Sequence, residues 1–77
     1  MSSDITSSPA DVSVTVNGVA RALATGSSLR DLIEVLGFAG RPIAVEVDGD
    51  VVPRAALADR TLAGGERIEI VTFVGGG

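Results

Sequence analysis

Val12-Ser13-Val14-Thr15-Val16-Asn17-Gly18-Val19-Ala20-Arg21-Ala22-Leu23 is the stretch that decides the architecture of this chain. From Val12 to Val16 apolar and polar residues alternate with a period of two, as a strand with one buried face requires. Asn17-Gly18 follows without a spacer. Both residues accept the positive φ angles of a type I′ turn, so Val19 to Leu23 is predicted to return antiparallel as the second arm of a hairpin.

Downstream, Thr25-Gly26-Ser27-Ser28 ends the strand, and a hydroxyl of Ser27 or Ser28 can cap the free N–H groups of a following helix. Asp31 sits favourably near the positive end of that helix dipole. Leu29, Leu32, Ile33 and Leu36 fall at i, i+3, i+4 and i+7 and form one apolar stripe, with Arg30, Asp31 and Glu34 facing away. A helix this short needs packing to exist, so the stripe is read as core and not as a partner-binding face. Gly37 suits the left-handed position that ends such a helix.

Phe38 to Pro42 reads as a loop, and Pro42 leads into a third strand, Ile43 to Val47. Asp48-Gly49 makes a second tight turn into a short arm, Val51-Val52, which Pro53 ends at a sheet edge because it has no N–H to donate. Arg54 to Leu62 reads as a single helical or 3₁₀ turn and a crossing segment. After the turn at Gly64-Gly65-Glu66, a final strand runs from Arg67 to Phe73 with Ile68 and Ile70 facing the core and Val71 and Phe73 on the opposite face. Five strands with one full helix lying across them make an α+β arrangement, and the order of elements predicts a β-grasp, or ubiquitin-like, fold with a mixed sheet.

The 77 residues have room for one modest core. Residues 1–10 are rich in Ser, Asp, Thr and Pro and are read as a disordered leader, with one domain at 11–77 ending in a flexible glycine tail at 74–77. Six Arg, no Lys and ten acidic residues give a formal net charge of -4, which disfavours nucleic acid and suggests a partner with a basic face. The absence of Cys and His excludes disulfides, thiolate catalysis, iron–sulfur ligation and almost every zinc site. With neither a signal peptide nor a membrane-spanning run, the chain is expected to be cytoplasmic.

Val74-Gly75-Gly76-Gly77 is where the chemistry is placed, because no other part of the sequence offers an obvious reactive group. Three glycines in succession can lie extended in a channel too narrow for side chains, carrying the α-carboxylate on a tether. The competing reading is an ordinary frayed end. Arg54 also has two readings: a pair with a partner carboxylate, or a surface salt bridge within the domain. The second is favoured because exposed pairs are common and weak. Glu46, Asp48, Asp50 and Glu69 are read as a solvated exterior, with a docking face for a basic partner as the alternative.

The run Val47-Asp48-Gly49-Asp50-Val51-Val52-Pro53-Arg54, the strand Gly65-Glu66-Arg67-Ile68-Glu69-Ile70-Val71 and the terminal glycines together resemble the ThiS family of sulfur carrier proteins of thiamin biosynthesis. The resemblance covers about Val12 to Gly77; the polar leader and the third glycine depart from the usual pattern. It implies that an E1-like, ThiF-like enzyme adenylates the Gly77 carboxylate with ATP and that a sulfur donor protein then displaces AMP. The resulting thiocarboxylate would give its sulfur to thiazole synthase, the ThiG-like partner. Gly75 and Gly76 would thread the partner's channel, while Val71, Phe73, Val74 and Arg54 would contact its surface. The carrier itself would be a co-substrate and not an enzyme, with no cofactor or metal of its own. The alternatives are a carrier for another pathway, such as the small subunit of molybdopterin synthase, or a ubiquitin-like modifier or binding module. The aromatic-Pro-Pro stretch usual before the di-glycine of the molybdopterin synthase subunit is replaced here by Thr72-Phe73-Val74.

Overall fold

The computed structural model describes residues 11–73. The leader at 1–10 and the tail at 74–77 lie outside the described residues. Within them the chain runs β1 (Asp11–Val16), β2 (Val19–Ala24), α1 (Leu29–Val35), β3 (Ile43–Val47), β4 (Asp50–Val52), a 3₁₀ turn (Arg54–Ala56) and β5 (Arg67–Thr72). The five strands form one sheet in the order β2-β1-β5-β3-β4. Only the β1–β5 pairing is parallel, so the sheet is mixed and the β-grasp arrangement read from the sequence is the one observed. The crossover through α1 separates β2 from β3 by two strands, as the length of that connection permits.

Asn17 and Gly18 take φ angles of 48° and 86°, and Asp48 and Gly49 take 50° and 90°. Both hairpins therefore use the positive-φ turn that their Asn-Gly and Asp-Gly sequences favour. The N-cap of helix α1 is Ser28, not Ser27. The Ser28 hydroxyl accepts from the Asp31 N–H at 3.1 Å and the Asp31 carboxylate accepts from the Ser28 N–H at 2.9 Å, a reciprocal capping box. Gly37, at φ 85°, ends the helix in the left-handed conformation.

Leu29, Leu32 and Ile33 of the helix stripe are buried against Val14, Val16, Val45, Val47, Ile68 and Ile70 of the sheet, with Leu57 and Leu62 closing the sides. Each such side chain is stabilising by roughly 1.5–3 kcal/mol when fully buried, which is what lets a seven-residue helix persist. One buried charge belongs to this layer. Glu66 is 9% exposed, and its carboxylate accepts from the Ala63 N–H and from the Arg60 guanidinium, both at 2.9 Å. Because Arg60 keeps its outer side in water, the pair ties the 60–66 loop down without stranding an unpaired charge.

The final strand is one residue shorter than the alternation predicts. It ends at Thr72, although the Phe73 N–H still donates to the Pro42 carbonyl at 3.0 Å. Proline has no N–H with which to return the bond, so the ladder cannot continue past this point.

Candidate functional site

β5 is the central strand, and it leads directly to Phe73, the residue from which 74–77 continue. Its placement depends on both hairpin turns. The β1–β5 register contains two pairs, Thr15–Arg67 and Val16–Ile68, before β1 turns away at Asn17. There the Asn17 backbone N–H donates to the Ile68 carbonyl at 2.9 Å, and its carboxamide continues the ladder. The carboxamide oxygen accepts from the Ile70 N–H at 2.8 Å and its nitrogen donates to the Ile70 carbonyl at 3.1 Å. On the other flank, the Asp48 N–H donates to the Arg67 carbonyl at 2.8 Å, and the Asp48 carboxylate accepts from the Arg67 N–H at 2.9 Å. The first residue of each turn thus holds β5 by its side chain as well as its backbone. Sequence reading treated both residues only as turn formers and Asp48 as solvated exterior.

Val71 and Phe73 are exposed, at 54% and 56%, on the side of the sheet away from the core, where the strand alternation placed them. Val71 lies opposite Ala44 of β3, and two register positions further, on the same face, Glu69 lies opposite Glu46, which in turn lies opposite Val51 of β4. The outer face therefore carries an apolar row near the tail and, beside it, two half-buried carboxylates in direct cross-strand register. Like charges so placed repel, and a cation from outside would relieve them. Val51, 68% exposed, extends the apolar area and was not singled out in the sequence.

Arg54 does not form the salt bridge expected within the domain. Its guanidinium donates to the Arg41 backbone carbonyl at 3.1 Å, and among the described residues the ion pairs are Arg30–Glu34 and Arg60–Glu66. The 3₁₀ turn that follows Pro53 points Arg54 toward the 38–42 loop, where a carbonyl and no carboxylate is in reach. Arg54 is consequently not on the face that carries Val71. Val74, Gly75, Gly76 and Gly77 lie outside the described residues. Among the described residues no three acidic side chains converge as metal ligands would, and no helix is long and apolar enough to cross a membrane.

Comparison with known proteins gives three concordant likenesses. A model of the ThiS family matches residues 14–77. A thiazole synthase of Paramagnetospirillum magneticum is 34% identical over 62 residues, a match that covers 80% of this chain and 19% of that protein. The chain thus spans about a fifth of the length of this relative. The crystal structure of a thiamine biosynthesis protein (ThiS) from Geobacter metallireducens superposes with a TM-score of 0.71 at 30% identity, over 86% of this chain and 100% of that one.

Proposed function

The chain belongs to the ThiS family, the sulfur carriers of thiamin biosynthesis, and from that premise we propose that the α-carboxylate of Gly77 is the group that carries the sulfur. The observation that carries this reading is that the family match runs through residue 77, so the glycine run belongs to the matched pattern and is not an appendage to it. An α-carboxylate is ionised at neutral pH and is a poor electrophile, so it must be activated before sulfur can attack. In the proposed sequence a carboxylate oxygen attacks the α-phosphorus of ATP and pyrophosphate leaves. Hydrosulfide released by a sulfur donor then attacks the acyl carbon, the C–O bond to AMP breaks, AMP and the proton of the hydrosulfide leave, and a thiocarboxylate is left on Gly77. The chain supplies no acid, base or metal to these steps and acts as a co-substrate.

Thiazole synthase is the proposed acceptor. A segment similar to this chain occurs inside a protein of that name, and joining in one polypeptide is a common fate of proteins that meet in successive steps. A ThiF-like enzyme is the proposed activator, with Gly75 and Gly76 in its channel and Val71, Phe73 and Val74 against its surface. Ordering a three-glycine tail costs about 1–2 kcal/mol per residue, so an apolar docking face beside the tail is needed to offset it.

The test is ATP–pyrophosphate exchange by a ThiF-like enzyme with the complete chain as acceptor. The wild-type chain supports exchange, and Phe73→Ala raises KM by about tenfold, as the loss of an aromatic anchor commonly does. The same substitution moves the thermal midpoint by less than ~4 °C, since exposed positions rarely contribute more than about 0.5 kcal/mol. No exchange with the wild-type chain would refute the proposal; a large stability loss with unchanged KM would show that Phe73 serves folding instead.

A further inference from the structure

On the helix side of the sheet a pocket of about 390 Å³ opens between α1, the 38–42 loop and the 3₁₀ turn. Three of the six arginines, Arg30, Arg41 and Arg54, line it, against a single carboxylate, Glu34. A chain of net charge -4 therefore concentrates a local excess of two positive charges at one concavity. The guanidiniums are only lightly committed. Arg30 uses its Nε on Glu34 at 3.3 Å in an exposed pair, and Arg54 uses one nitrogen on a carbonyl. The Arg41 guanidinium makes no hydrogen bond or ion pair among the described residues. Beneath them the walls are apolar: Ile33 and Leu57 are buried and Phe38 is half-buried.

We propose that this pocket is a docking socket for an acidic segment of a partner protein, one that presents an apolar side chain flanked by carboxylates. Guanidiniums around an apolar floor match that chemistry, since carboxylates can pair with them in bidentate fashion while the side chain between them covers Ile33 and Leu57. A free inorganic anion would leave the floor bare. The position favours a partner that takes up the tail. The Phe73 N–H is bonded to the Pro42 carbonyl, and Arg54 is bonded to the carbonyl of the preceding residue, Arg41. Phe73, the last described residue, is therefore bonded beside the rim of the pocket. The inference rests on the reading of this chain as one that such a partner engages, and it adds a basic contact on the helix side to the apolar and acidic contacts of the outer sheet face.

The test needs no enzyme. The complete ¹⁵N-labelled chain is titrated with the blocked peptide acetyl-Glu-Leu-Glu-amide, following the Arg side-chain Nε–H signals and the Arg41 and Ala55 amides by NMR. The proposal expects saturable shifts at Arg30, Arg41 and Arg54, weakened by salt and reduced about tenfold or more in affinity by Arg41→Ala with Arg54→Ala. Arg41→Ala alone keeps the measurement readable if the double variant fails to fold, because its guanidinium bonds nothing else among the described residues. Absence of saturable shifts, unchanged affinity in the variants, or equal shifts with inorganic phosphate would overturn it. With no activating enzyme present, such a failure leaves the Gly77 chemistry standing, and failure of adenylation leaves peptide binding standing.

Discussion

Removal of Gly76 and Gly77 abolishes ATP–pyrophosphate exchange with a ThiF-like enzyme and leaves the thermal midpoint where it is. With those residues gone the α-carboxylate belongs to Gly75, drawn back by roughly 7 Å along an extended chain. A misplacement of ~1 Å can already cost about a hundredfold in rate, so the shortened tail cannot present its carboxylate to ATP while the domain is docked. Stability is unaffected because the core is closed by residues between Val14 and Ile70. Exchange at the wild-type rate by the truncated chain would mean that the tail is not the acceptor. A lowered midpoint would mean that the glycines contribute to folding.

Asn17→Ala carries the largest expected loss of stability from a surface turn. The substitution deletes both side-chain bonds to Ile70 and leaves that residue's N–H and carbonyl without their partner, a cost of about 2–3 kcal/mol for groups that are half-buried. It also places a Cβ-bearing residue of poor left-handed tolerance at φ 48°, adding roughly 1 kcal/mol. For a domain of this size the midpoint should fall by roughly 12–30 °C. Asn17→Gly separates the two causes, because glycine accepts the φ angle but has no carboxamide. Most of the loss should survive in the glycine variant. If the glycine variant unfolds with the wild type, the backbone pairing of β1 and β5 is sufficient and the carboxamide is ornamental.

The same residue shows how far the sequence could be read. Asn17-Gly18 and Asp48-Gly49 announce their turns through local backbone preference, and the period-two and i, i+3, i+4 patterns announce which faces are buried; both are properties of neighbouring residues. The grip of Asn17 on Ile70, 53 positions away, and of Asp48 on Arg67, 19 positions away, depends on which strand the sheet order places beside each turn. Once a β-grasp order is assumed, a polar residue at the end of β1 next to the central strand is a candidate for this role, and that is the signal a closer reading would use. The reading of Arg54 as one half of a salt bridge within the domain failed for the same reason. The charge was legible, but a 3₁₀ turn directs it to the Arg41 carbonyl, and the gathering of Arg30, Arg41 and Arg54 around one pocket joins three segments that no local pattern connects. Val71 and Phe73, by contrast, follow from strand alternation alone and stand outward as expected.

Intact-mass analysis of the complete chain, after incubation with ATP, a ThiF-like activating enzyme and a sulfur donor and with alkylation to trap the product, bears most directly on the sulfur-carrier reading. The expected result is replacement of one carboxylate oxygen by sulfur, mapped to Gly77 by fragmentation and absent when ATP is withheld. An unchanged mass, or a modification that maps elsewhere than Gly77, would contradict it.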